Sequence, residues 1–217
     1  NIDCNMKKIQ NYINGQFLSA LSKNYKNNSS PITGKIYSKF PDSDHEDIDK
    51  AVMAAKKAFP KWKSLGKKGR YNLLMSLADM LDENFDKFVE AESYDNGKPE
   101  WIARSVDIPR VSENFRFFAT ASLHFSSECH EMDGKAFNYT IREPIGVAGC
   151  ISPWNLPIYL LTWKIAPALA AGNTVVAKPS EITPMTAYLF SKIVHKSNIP
   201  NGVINIVHGL GEKAGEA

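Results

Sequence analysis

Cysteine is scarce: only Cys4, Cys129 and Cys150 occur in 217 residues, odd in number and widely scattered. This excludes a disulfide framework and points to a reducing, cytoplasmic compartment. An excess of one charge sign is lacking too. Lys and Arg number 26 against 23 Asp and Glu, a net charge of +3 with the signs interleaved, so no nucleic-acid partner is expected. Long hydrophobic runs are missing. The longest is cut by Lys164, Pro167 and Gly172 before the roughly 20 residues a membrane span requires, so no membrane partner is expected. The chain does not open on a basic segment followed by an apolar one, as a secretory leader would. The five histidines (His45, His124, His130, His195 and His208) show no ligand spacing, so no metal site is expected. Internal repeats and low-complexity tracts are absent.

What is present is a composition 43% hydrophobic, enough to bury a core in one or two domains. The most informative stretch is residues 144–181, which has the rhythm strand, loop, helix, strand, polar turn. Residues 145–151 are short, apolar and β-rich and read as a buried strand, ended by Pro153. Residues 156–171 are apolar on nearly every face, as in a helix packed between layers, and Gly172-Asn173 stops them. Residues 174–178 form the next strand, parallel to the first because a helix connects them. A helix over 184–197, a third strand over 201–207, and a turn and helix over 209–217 complete a β-α-β-α-β run of a doubly wound sheet.

The preceding residues read as smaller elements. Asn14-Gly15 predicts a tight hairpin within residues 9–18. Residues 19–30, rich in Asn, Ser and Lys, predict a surface loop, followed by a turn at 31–34 and a strand over 35–40. Ser43-Asp-His-Glu46 is a capping-box pattern for a helix over 44–59 that Pro60 ends. Further helices are expected around Leu73–Leu81, around Phe85–Val89 and over 101–125, the last perturbed near Pro109. Residues 136–142 alternate as a strand with one exposed face does.

Ligands of an open parallel sheet gather at the carboxyl ends of its strands. Here those ends carry Ile151-Ser-Pro-Trp-Asn155 and Lys178-Pro-Ser-Glu181. From the residues alone, Asn155 is a turn former before a helix, Lys178 and Glu181 an exposed ion pair, and Arg110 a surface or interhelical cation. Gly209-Leu-Gly-Glu-Lys-Ala214 fits G-x-G-x-x-G/A, yet it follows the third strand of the unit, so a simple turn stands beside a dinucleotide site. Cys150, inside an apolar strand, reads as an inert core thiol.

Pro-Trp-Asn at 153–155 and Lys-Pro-Ser-Glu at 178–181, in this order and spacing, resemble hallmark elements of the aldehyde dehydrogenase superfamily. The resemblance implies an incomplete Rossmann-like α/β fold with a protruding β-hairpin. Residues 1–126 would belong to the outer part of the cofactor domain, 127–143 to an oligomerising hairpin, and 144–217 to the NAD-binding sheet. It implies Asn155 as the oxyanion donor, with Ile151, Ser152, Pro153 and Trp154 beside the nicotinamide half of NAD. Lys178, Ser180 and Glu181 would hold the adenosine ribose, and Gly211 and Gly215 would pass beside the adenine. Leu156, Tyr159 and Trp163 would line a substrate tunnel, with Arg110 suited to a carboxylate on the aldehyde. The family's nucleophilic Cys and general-base Glu have no counterpart here, and the first residue is Asn1 rather than Met. The chain is therefore expected to be the N-terminal part of a homo-oligomeric enzyme and inactive alone. Betaine- or retinal-type aldehydes are the alternative substrates, and a non-catalytic nucleotide- or subunit-binding product is the alternative of another class.

Overall fold

The computed structural model describes residues 7–217, so Cys4 and Asn1 lie outside the described residues. The first strands are β1 (Lys7–Lys8), β2 (Asn11–Ile13), β3 (Gln16–Leu18), β4 (Tyr25–Ser29) and β5 (Ile36–Pro41). β2 and β3 form the expected hairpin, with Asn14 at φ 52° and Gly15 at φ 77° supplying the left-handed pair a two-residue turn needs. β4 is a departure, since the 19–30 segment was expected to be a loop. Its polar residues pair along β5 because the inward-pointing Asn28 is satisfied: its Nδ2 donates to the buried Asp95 carboxylate at 2.7 Å.

Helices α1 (His45–Ser64), α2 (Gly66–Asp82) and α3 (Phe85–Asn96) follow. Asp44, not the Ser43 of the expected capping box, caps α1 by accepting from the Glu46 N–H at 3.0 Å, while the Ser43 hydroxyl accepts from Asn11 Nδ2 at 2.8 Å. Pro60 was expected to end α1, but the helix runs on to Ser64. An interior proline costs about 3 kcal/mol, but the next turn is anchored by Trp62. That indole is wholly buried and donates to the Leu169 carbonyl at 3.1 Å. After α4 (Glu100–Ile102) a π-helical turn over Ala103–Asp107 leads into α5 (Ile108–His124), the disturbance foreseen near Pro109.

β6 (Cys129–Met132) and β7 (Ala136–Tyr139) make a separate hairpin turned by Asp133 and Gly134. All eight strand residues are exposed, on both faces rather than the single face the alternation predicted. The strand is also shorter than residues 136–142, ending at Tyr139 with one further bond from the Thr140 N–H to the Glu128 carbonyl at 3.1 Å. The chain then forms β8 (Val147–Ile151), α6 (Pro157–Ala170), β9 (Thr174–Lys178), α7 (Met185–Lys196) and β10 (Ile204–Ile206), ending in a π-type turn at Gly211–Gly215.

The main sheet has the order β3-β2-β10-β9-β8, with β8, β9 and β10 parallel and the N-terminal hairpin added antiparallel at β10. The pleat separates two cores. Val176 points with Ile13 and Val207 toward Ile48, Ala51 and Ala55 of α1. Val175 and Ala177 point the other way, into the larger core of α6, α7, α2 and α5 around Phe115, Phe190 and Leu169. Each such apolar side chain contributes about 1.5–3 kcal/mol by burial. Gly209 lies where a Cβ would sit 2.8 Å from the Ala214 Cβ and 2.9 Å from the Ser43 carbonyl, so only glycine fits.

The strand ending at Ile151 was read as buried; among the described residues only Cys150 of β8 is, and Ile151 is 55% exposed. β8 pairs with β9 alone among these residues, so its other side is uncovered here.

Candidate functional site

Two adjacent strand ends build the site. In the β8–β9 ladder Ile151 is the partner of Lys178, and the Ser152 N–H donates to the Lys178 carbonyl at 3.1 Å. The Pro-Trp-Asn loop and the Lys-Pro-Ser-Glu turn therefore leave the sheet side by side. The third parallel strand joins them, as the Val207 N–H donates to the Ala177 carbonyl at 2.9 Å. The glycine turn that follows is brought to the same place. A Cβ on Gly211 would lie 3.8 Å from Glu181 Oε1, and one on Gly215 would lie 3.7 Å from Lys178 Cδ.

At the β9 end Lys178 is nearly wholly buried, and its Nζ donates to Glu181 Oε2 at 2.8 Å and to the Pro179 carbonyl at 3.2 Å. The pair is thus not the exposed one that the residues alone also allowed. Partial burial pushes the Glu181 carboxyl up. The Lys178 bond and the backbone N–H groups of Glu181 and Gly211 outweigh this and hold it below the ordinary glutamate value. Glu181 is one-third exposed and stays an ionised acceptor facing outward. Ser180 is buried, and its hydroxyl oxygen accepts from the Ile182 N–H at 3.2 Å, closing the turn. Beside Glu181 a cavity of about 430 Å³ opens between residues 26–29, Phe40, Ile182 and Leu210. A second cavity of about 370 Å³, lined by Arg70, Phe118, Phe125 and Arg142, lies among the helices and away from the strand ends.

At the β8 end Pro153, Trp154 and Asn155 are exposed. Ser152 is buried, and its hydroxyl has no hydrogen-bond partner among the described residues. An orphaned buried hydroxyl costs about 1–3 kcal/mol unless something engages it. α6 begins two residues after Asn155 with Pro157 in its first turn, so its positive end adjoins that carboxamide. Cys150 is buried, and desolvation pushes its thiol up to about 11 against a small opposing pull from Lys164. An inert core thiol was expected, and this environment suits one.

The proposed tunnel residues lie between α5 and α6. Asn114 Nδ2 donates to the Tyr159 carbonyl at 3.2 Å and to Thr162 Oγ1 at 3.0 Å. Phe118 meets Trp163 edge-on at 5.8 Å, and Trp163 meets Tyr159 at the same separation. Residues 110, 114 and 118 share one face of α5. Arg110 therefore sits one turn before Asn114 on that face. Its guanidinium donates to Glu113 Oε2 at 3.2 Å, with both side chains more than half exposed.

Residues that no sequence signal had singled out also converge here. His208, directly after β10, is fully buried with neither ring nitrogen bonded. Burial and the nearby Lys178 charge hold its pKa down at about 3, so the ring is neutral. Asn96 and Lys98, on either side of Gly97 at the end of α3, donate to the carbonyls of Trp154 and Asn155. An amide and an ammonium flanking a glycine were the only available clue. Among the described residues no group of three or more His, Cys, Asp and Glu could hold a metal ion. No helix among them is long and apolar enough to cross a membrane.

This pairing of a Pro-Trp-Asn loop with a Lys-Pro-Ser-Glu turn is built on a sheet shared with known proteins. The chain belongs to the aldehyde dehydrogenase family, whose pattern matches residues 17–217. It is 51% identical over 210 residues to the human 2-aminomuconic semialdehyde dehydrogenase, covering 96% of this chain and 43% of that protein. It is 42% identical over 211 residues to the 2-hydroxymuconic semialdehyde dehydrogenase of Pseudomonas sp. strain CF600, covering 95% and 43% respectively. The aldehyde dehydrogenase of Bacillus cereus, solved as its NAD+ complex, superposes with a TM-score of 0.93 at 36% identity over 97% of this chain and 43% of that one. The chain thus spans less than half the length of these relatives.

Proposed function

We propose that this chain is the N-terminal, cofactor-binding part of an NAD-dependent aldehyde dehydrogenase. The aldehyde it oxidises would carry a carboxylate, with 2-aminomuconic 6-semialdehyde, on the kynurenine route of tryptophan breakdown, as the substrate. The observation that carries this reading is the adjacency of the β8 and β9 ends. An amide donor and an ionised ribose acceptor leave the same edge of one sheet.

The residues present fit a dinucleotide. Glu181 can accept from both hydroxyls of an unphosphorylated ribose, and its charge repels a 2′-phosphate. The charge of Lys178 is already satisfied by Glu181 and the Pro179 carbonyl, so little of it remains to attract that phosphate. Gly211 and Gly215 leave room where side chains would stand. The free hydroxyl of Ser152, together with Ile151, Pro153 and Trp154, offers a border for the nicotinamide half. Bound there, NAD would supply the hydride acceptor. Asn155 Nδ2 would donate to the aldehyde oxygen as negative charge grows on it, beside the positive end of α6. The thiolate and the water-activating carboxylate would come from the part of the family's length that this chain does not span, so the chain alone would be inactive. The exposed β6–β7 hairpin, carrying Met132, Phe137 and Tyr139, would join subunits of a homo-oligomer.

Arg110 is the residue that reads the substrate. Its exposed pair with Glu113 is worth about 0–1 kcal/mol, so a substrate carboxylate can replace it in bidentate geometry. The same pair favours a second reading, in which Arg110 stays with Glu113. Leu156, Tyr159 and Trp163 then select an uncarboxylated betaine- or retinal-type aldehyde. Arg110→Ala in the complete enzyme separates the two. The expected result is a KM raised about tenfold or more for carboxylated aldehydes and unchanged for hexanal. Equal effects on both would remove Arg110 from substrate recognition.

A further inference from the structure

We propose that Asn96 and Lys98 are positioning residues for Asn155, each pinning one of the two peptide planes that flank its Cα. The inference rests on Asn155 being the oxyanion donor. Asn96 Nδ2 donates to the Trp154 carbonyl at 2.8 Å, and Lys98 Nζ donates to the Asn155 carbonyl at 3.1 Å. The first carbonyl belongs to the peptide plane before the Asn155 Cα and the second to the plane after it. Rotation about φ moves one plane against the Cα, and rotation about ψ moves the other. Holding both fixes the direction of the Cα–Cβ bond, while the Asn155 carboxamide makes no hydrogen bond of its own among the described residues. Among the described residues Pro153, Trp154 and Asn155 are exposed, and a useful donor must be held within about 0.5 Å and 10–20°.

The clamp is itself braced. Asn96 is the last residue of α3, and Gly97, at φ 85°, turns the chain so that Lys98 can reach the same loop. A Cβ on Gly97 would lie 2.7 Å from Pro31 Cγ, so the corner admits no larger residue without a shift. The Ser93 hydroxyl donates to the Lys98 carbonyl at 2.6 Å. The ammonium of Lys98 is paired with Asp107 and lies 3.8 Å from Glu92, both carboxyls fully buried. Asp107 closes the π-helical turn before α5, where the Ile108 N–H bonds back to the Ala103 carbonyl. Such one-residue insertions often re-aim a side chain at a functional position. Burial, aided by the Asp107 charge and opposed by Lys98, pushes the Glu92 carboxyl up to about 8. At neutral pH the cluster is therefore one ion pair plus a mostly neutral acid, a state the interior tolerates.

The test is a double-mutant cycle in the complete enzyme. Asn96→Asp keeps size but replaces the donor with an acceptor facing the Trp154 carbonyl oxygen. Lys98→Met alone would strand Asp107 as a buried charge, so it is combined with Asp107→Asn. Each variant is expected to keep KM for NAD and aldehyde within about twofold while kcat falls about 10- to 100-fold. In an Asn155→Ala background the same changes should lower kcat by less than about threefold, since the group they position is gone. An undiminished effect in that background, or a wild-type kcat in either folded variant, overturns the proposal. If the Lys98→Met, Asp107→Asn protein fails to fold, Asn96→Asp decides alone. Wild-type enzyme without aldehyde oxidation would instead sink the functional reading, a separate outcome.

Discussion

The ends of β8 and β9 lie side by side and are held in opposite ways. At β9 the ion pair is local. Lys178 and Glu181 are three residues apart, the ammonium is buried, and neighbouring N–H groups complete the carboxylate. At β8 the carbonyls of Trp154 and Asn155 accept from side chains 58 and 57 residues away in sequence. A site for a resting ligand can be assembled from one turn. A donor proposed to meet charge as it develops must be held in direction, and at β8 the bonds able to hold it come from elsewhere in the fold.

The largest effect should come from removing what the β8 end presents. In the complete enzyme Asn155→Ala is expected to lower kcat about 100- to 1000-fold, with NAD affinity unchanged by fluorescence titration. A loss under tenfold would make the two ends alike, both serving binding only. Next, Cys150 should report how closed the packing behind β8 is. With its thiol pushed up to about 11 by burial, it should react with iodoacetamide at pH 7.5 at least about 100-fold more slowly than free cysteine. Mass-spectrometric time courses would show this, and comparable rates would mean the packing around it opens.

A smaller effect is expected at β9. Glu181→Gln removes the charge that rejects a 2′-phosphate, so the ratio of kcat/KM for NAD over NADP should fall at least about tenfold. An unchanged ratio would move cofactor choice away from this turn. The smallest effect concerns the brace behind the β8 end. Glu92 keeps its proton in the native state up to about pH 8, whereas unfolded it releases it near its ordinary 4.5. The native state therefore binds the extra proton, and stability is lost as pH rises from about 4.5 through about 8. Glu92→Gln has no such loss. Its Tm relative to wild type should improve by at least about 3 °C between pH 5 and pH 8.5. Parallel Tm profiles would show that Glu92 is ionised throughout.

How far these features were legible varies by residue. The Asn14-Gly15 turn was readable because backbone conformation decides it within two residues, whereas the capping box placed the α1 cap one residue early, at Ser43 rather than Asp44. The continuation of α1 past Pro60 was not readable, since its stabiliser, Leu169, is 107 residues from Trp62. The pairing of β4 was hidden because Asn28 looks like a loop residue until Asp95 stands opposite it. Asn155, Lys178 and Glu181 stood out as residue types at strand ends. Asn96 and Lys98 did not, because a donor to a distant carbonyl leaves no periodicity.

The sequence by itself determined the parallel strand–helix–strand unit and which residues sit at its carboxyl ends. Apolar runs, helix stops and loop chemistry are local properties, written within a turn or a strand's length. Only the tertiary structure decided that Glu181 stays ionised against a buried Lys178 and that the carbonyls flanking the Asn155 Cα accept from Asn96 and Lys98. Charge state and backbone anchoring depend on what is brought close in space, and for the Asn155 loop those neighbours lie far off along the chain.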